Sequence, residues 1–192
     1  SPVTGVQTCA LPIYPTTVGK RATLWAQDLA LALEEVEYRL KSLRFRGVKG
    51  TTGTQASFLA LFDQDHEKVE KLDQLVTEKM GWNTHNTLTV TGQTYPRVVD
   101  GMVVSTLAAI ASTCQKFATD LRLLANRKEL EEPSEPGQVG SSAMAYKRNP
   151  IRSERIRGLS RSRIGLVGVP FTSAAEQAPA RTMADSSTST LP

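Results

Sequence analysis

The chain has 192 residues, 40% of them hydrophobic and 22% charged, with a formal net charge of +4. That suffices for one domain or a large part of one, and the charge is too modest to demand a polyanionic partner; a small anionic substrate accounts for it equally well. No stretch reads as long and apolar enough to cross a membrane, and no basic segment leads into an apolar run as in a secretory signal. The two cysteines, Cys9 and Cys114, and the two histidines, His66 and His85, show no metal-ligand spacing, which argues against a zinc site and for reduced thiols in the cytoplasm.

Residues 1–14 keep neither a helical nor a strand period and are expected to be irregular and foreign to the rest of the chain. Pro15-Thr16-Thr17 reads as a helix start with threonine as cap. From Lys20 to Phe45, Ala22, Leu29, Leu33, Val36, Leu40 and Leu43 recur at helical spacing among charged residues. This predicts a long amphipathic helix packed on others by that apolar face, with Glu35 and Arg39 placed to pair. Gly47 and Gly50 are expected to end it. The run Lys49-Gly50-Thr51-Thr52-Gly53-Thr54-Gln55 could wrap an anion with backbone donors, although its composition alone favours a plain helix connection. It lacks the Gly-Lys-Ser/Thr ending of a P-loop.

Two shorter helices are predicted over Gln55 to Leu61 and Asp65 to Met80, the second with Val69, Leu72, Leu75 and Val76 on one face and a solvated His66 at its start. Residues 81–91 read as an extended or strand-like connection with His85 at a loop tip. A second long helix runs from Val98 to about Leu130. Its first half is apolar all round, which suits the inside of a bundle or an oligomer interface, and its alanines permit close approach of neighbours. Arg122 and Asn126, where it emerges, are expected in structural ion pairs. Helix-like sequence resumes at 152–156, whereas Ser160 to Pro192 has few large apolar residues and is expected to be disordered.

The segment Gly140-Ser141-Ser142-Ala143-Met144-Ala145-Tyr146-Lys147-Arg148-Asn149-Pro150 resembles the signature loop of the fumarase/aspartase superfamily. The Tyr-Lys-Arg-Asn-Pro ending, Arg152-Ser153-Glu154-Arg155 after it, Thr16 to Arg21, Leu43 to Gln55, Thr91-Gly92-Gln93-Thr94-Tyr95 and Asp120 to Asn126 resemble the adenylosuccinate lyase branch of it, over about residues 15–157. The resemblance implies an all-α fold, a long-helix bundle that is incomplete here. Its parts would be an irregular segment at 1–14, a partial central helical domain at 15–158 with the signature loop at 137–150, and a disordered or foreign tail at 159–192. It implies a homotetramer, a purine nucleotide substrate, no cofactor or metal, and no nucleic-acid or membrane partner. The reaction implied is β-elimination of fumarate from adenylosuccinate and from the succinylated aminoimidazole carboxamide ribotide.

By the same resemblance Ser141 is the catalytic base, and Gln93, Lys147, Asn149 and Arg155 bind substrate. A serine hydroxyl needs amide donors, a nearby cation and exclusion of water to serve as base, and Lys147 is the candidate cation. Three departures stand out. The implied general-acid histidine should lie near Cys9, where none occurs. Ala145 stands where the loop usually has proline, restoring φ freedom. The matching sequence ends near Arg157, so a fragment with foreign ends, inactive by itself, is expected. Alternatives are another superfamily lyase such as argininosuccinate lyase, which the Tyr-Lys-Arg-Asn-Pro and Lys-Gly-Thr-Thr motifs oppose, or a basic helical binding module, which the missing aromatic platform opposes.

Overall fold

The computed structural model describes residues 16–133, 144 and 148–177. Six helices occur there: α1 (Val18–Ser42), α2 (Ala56–Leu61), α3 (His66–Lys79), α4 (Val98–Asn126), α5 (Ile151–Gly165) and α6 (Gly168–Ala175). The described residues contain no strand, only an isolated parallel bridge between Phe45 and Thr87. Helix α4 is the hub, because α1, α5 and α6 all pack on it.

Local chemistry explains the helix starts. The Thr17 hydroxyl accepts from Lys20 N at 3.1 Å and opens α1; Asp65 Oδ1 accepts from Lys68 N at 3.1 Å and opens α3. Both satisfy first-turn amides that have no intrahelical partner. Helix α1 stops at Ser42, earlier than its glycines suggest, because Leu43 turns extended. Phe45 N then donates to Asn86 O at 2.7 Å, and Leu88 N donates back to Phe45 O at 2.8 Å. Phe45 also stacks on Trp82, with ring centroids 5.9 Å apart.

Helices α1 and α4 run antiparallel, as Trp25 meets Phe117 and Asp120 while Arg39 meets Met102 and Thr106. The predicted apolar face of α1 is not the face that meets α4. Leu29, Leu33 and Leu40 are exposed, at 43%, 58% and 64%. The contact uses Trp25, Asp28, Ala32, Glu35 and Arg39, spaced three and four apart. The reason is chemical: α4 presents polar partners there. Lys116 pairs with Asp28 at 3.1 Å, Trp25 Nε1 donates to Asp120 Oδ2 at 2.8 Å, and Glu35, bound to Arg39 at 3.2 Å, accepts from the Thr106 hydroxyl at 3.3 Å.

Helices α5 and α6 run back along α4. Arg122 faces Glu154 at 3.9 Å, and the Phe171 ring lies against Gly101, where an added Cβ would come within 2.6 Å of it. Gln177 closes the return: its Oε1 accepts from Arg97 N at 2.9 Å and its Nε2 donates to Thr94 Oγ1 at 3.2 Å. Residues 160–175, expected to be disordered, therefore form the end of α5 and all of α6. Their small residues suit a close contact: Ser160, Pro170 and Ser173 are buried, as are Gly101 and Ala118 on α4. The expectation for 178–192 and that for 1–14 lie outside the described residues.

The expectation that no stretch could cross a membrane is also corrected. Helix α4 is long and apolar enough, by length and composition, to do so. In the fold it carries Asp100, Lys116, Asp120 and Arg122 and is packed on by three helices, as a bundle helix is.

The start of α5 is held from a distance. Its N-cap, Pro150, offers no side-chain acceptor. Glu132 supplies one, accepting from Arg152 N at 3.1 Å, from Ser153 N at 2.9 Å and from the Ser153 hydroxyl. Burial pushes the Glu132 carboxyl up, but the Ser153 hydroxyl, the two amides and the Arg152 charge outweigh it and leave its pKa below the usual glutamate range.

Two measurements test this packing. Trp25→Ala should cost about 3 kcal/mol in urea unfolding, whereas Trp25→Phe, which keeps the ring edge-on to Phe117 and loses only the donor to Asp120, should cost about 1 kcal/mol. The Glu132 contribution should depend on pH. A depressed folded pKa stabilises fully above the unfolded value of about 4.3 and is lost as pH falls through the folded value. The stability gap between the parent chain and Glu132→Gln, open near neutral pH, should close only in acid below the ordinary glutamate range.

Candidate active site

The residues singled out by motif fall into two groups. At the N-terminal end of α4, the 46–55 connection packs against 91–93. Gly53, at φ +81°, touches the chain there so closely that a Cβ would sit 1.9 Å from Thr91 O. Arg46 fastens the contact: its guanidinium donates to Lys49 O at 3.2 Å, to Gly50 O at 3.1 Å and to Gly92 O at 3.2 Å. Gly92 precedes Gln93, so the clamp bears directly on the chain that carries the expected substrate-binding glutamine. Lys49 Nζ donates to Arg46 O at 2.9 Å and to Leu88 O. Burial lowers its pKa and the neighbouring Arg46 charge adds to this, against the pull of Asp73. Gly47, at φ +81°, turns the chain so that Val48 N donates to Asp73 Oδ1 at 2.5 Å.

The Lys49–Gln55 run thus acts first as a connection, internally bonded by Gly50 N to Thr54 O at 2.7 Å and by Gln55 Nε2 to Val48 O at 2.9 Å. Beside it, the buried Thr91 hydroxyl has no hydrogen-bond partner among the described residues. Sequence reasoning missed Arg46, whose partners are main-chain carbonyls, one of them 46 positions away. Only the glycines at 47, 50 and 53 signalled that the backbone folds tightly here.

The second group lies at the other end of α4. A cavity of about 440 Å³ is lined there by Thr119, Arg122, Leu123, Ala125, Asn126, Arg148, Pro150 and Glu154. Asn149 lies between two of these lining residues, and Arg155 comes directly after a third, exposed on the first turns of α5. Asn149 O accepts from Ile151 N at 2.9 Å and Pro150 O from Glu154 N at 3.0 Å. Arg122 makes an ion pair, with Glu154, and also faces the cavity with Asn126. Ser141 and Lys147 lie outside the described residues. His66 and His85 are exposed, and among the described residues no cluster of His, Cys, Asp and Glu could hold a metal ion.

The two groups do not meet within one chain. Helix α4 has 29 residues, so Gln93 before it and Asn149 beyond its far end are separated by roughly 40 Å at 1.5 Å per residue.

An all-helical chain organised on one long central helix, with a signature loop leading into α5, is a fumarase/aspartase-type lyase. The Lyase family model matches residues 9–165, and the chain belongs to that family. The match is wider at both ends than the motif-based resemblance over 15–157. The chain is similar to the adenylosuccinate lyase of Schizosaccharomyces pombe, 54% identical over 176 residues, which are 92% of this chain and 36% of that protein. It is similar to the adenylosuccinate lyase of Saccharomyces cerevisiae, 53% identical over 91% of this chain and 36% of that protein. The adenylosuccinate lyase of Schistosoma mansoni is 55% identical over 78% of this chain and 31% of its own length. The chain spans about a third of the length of these curated relatives.

The Gly53 contact can be weighed against a control. Gly81 also has a positive φ, +78°, but nothing within 4 Å of an added Cβ. Gly81→Ala should therefore cost only the left-handed strain, about 1–2 kcal/mol. Gly53→Ala adds a collision with main chain and should cost about 3 kcal/mol or more in urea unfolding. Equal costs would show that the 46–55 and 91–93 segments do not press together.

Proposed function

We propose that this chain is the central helical portion of an adenylosuccinate lyase, which eliminates fumarate from adenylosuccinate, giving AMP, and from the succinylated aminoimidazole carboxamide ribotide. The reading is carried by identity above 50% over nine-tenths of the chain to proteins named for that activity. Ser141 removes a proton from the succinyl carbon next to the one bonded to nitrogen. The C–N bond then breaks, the electrons form the C=C bond of fumarate, and the departing nitrogen takes up a proton. Lys147 supplies positive charge for the dianionic intermediate. Gln93, Asn149 and Arg155 hold the substrate, the arginine as a fork for carboxylate or phosphate.

The reading also calls for more than one copy. Gln93 and Arg155 belong to groups roughly 40 Å apart along α4, so one site can use both kinds of residue only if neighbouring chains contribute. The leucines on the outward face of α1, with Leu107 and Leu123 on α4, are the apolar surface that a homotetrameric bundle would cover. The reaction is assigned to the cytoplasm, in keeping with the free thiol of Cys114.

The test is a chimera. Residues 16–177 replace the matching segment of the Schizosaccharomyces pombe relative, which supplies the remainder, including whatever serves as general acid upstream. Absorbance assays should show fumarate release from both substrates. Ser141→Ala in the chimera should lower kcat by on the order of a thousandfold or more. A chimera that assembles like its parent yet cleaves neither substrate would refute the assignment.

A further inference from the structure

We propose that Glu132 is a positioning residue for the substrate-binding end of the site, fixing Asn149 and Arg155 by clasping the first turn of α5. The proposal rests on the reading of those two residues as substrate ligands. Its physical basis is independent of that reading. A helix start leaves amides without partners, and a buried one needs an acceptor. Pro150 provides no side-chain acceptor. Glu132, 20 and 21 positions earlier, accepts from the amides of Arg152 and Ser153 and from the Ser153 hydroxyl. Ser153 is 1% exposed, so solvent cannot replace the carboxylate at its hydroxyl.

The contact is tertiary, not a local cap. It joins the segment after α4 to the segment before and within α5, and it sets a negative charge at the positive end of the α5 dipole. Asn149 and Arg155 are tied to the same turn. Asn149 O accepts from Ile151 N at 2.9 Å, and Arg155 lies three residues beyond Arg152, on the adjoining turn. Loss of the clasp would free the first turn and blur the placement of both side chains, which a binding arginine tolerates poorly.

Two measurements test this. In the 192-residue chain, Glu132→Ala should raise amide exchange at Arg152 and Ser153 by about tenfold or more and loosen residues 149–155, leaving the Lys68 amide at the start of α3 unchanged. Glu132→Gln, which keeps an acceptor but not the charge, should fall between. In the chimera, Glu132→Ala should raise KM for adenylosuccinate by about tenfold, more than it lowers kcat, with Glu132→Gln partly restoring it. Unchanged exchange at Arg152 and Ser153 would overturn the proposal. So would raised exchange with KM unmoved, since a purely structural clasp behaves that way. An unsubstituted chimera without lyase activity would refute the functional reading and with it the role given to Glu132.

Discussion

Close packing of small side chains against α4 is the condition on which the rest of this structure depends. Gly101 and Ala118 on α4 face helices whose buried positions are Ser153, Ser160, Pro170 and Ser173. No large apolar side chain could occupy such a seam without driving the helices apart. The hydroxyls are accommodated because they turn back on their own helices, as Ser173 does to Val169 O at 3.2 Å and Thr106 to Met102 O at 3.1 Å. The seam fixes α5 beside the C-terminal half of α4 and brings Gln177 to its N-terminal end.

The same packing leaves the chain with little core of its own. Among the described residues the buried hydrophobic side chains are Ala32, Val69, Ala118 and Leu124. The α1–α4 contact is built largely from polar pairs with one aromatic contact, Trp25 edge-on to Phe117 at 5.1 Å. Exposed ion pairs contribute little, about 0–1 kcal/mol each, so these pairs set the register of the two helices more than they stabilise them. Most of the available hydrophobic driving force, in the leucines of α1, remains on this chain's own surface.

Much of this was legible in the sequence, and the failures have physical causes. Helices α3 and α4 emerge within a few residues of their predicted bounds because their periodicity is strong, and Thr17 caps α1 as its side chain allows. The face of α1 was misjudged because apolar periodicity reports which side seeks burial, not which side this chain buries. Residues 160–175 read as disordered because low apolar content usually means no core; a seam of small residues is the exception, and single-sequence reasoning cannot see the facing helix. At the site, Gln93 and Arg155 were legible as motifs. The Arg46 clamp and the Glu132 clasp were not, because both join residues far apart in sequence through main-chain atoms.

Helix α4 also acts as a ruler. An α-helix is stiff and rises 1.5 Å per residue, so its length sets the distance between the Arg46-clamped loops and the Glu132-clasped turn. Neither clamp can shorten that distance. Each instead fixes one end of the helix locally, with carbonyls gathered by a guanidinium at one end and amides gathered by a carboxylate at the other. Chemistry that draws on both ends must therefore be completed between chains. In that arrangement the accuracy of the site depends on how rigidly each chain presents its own half, and the two clamps do this where the sequence between helices would otherwise be free to move.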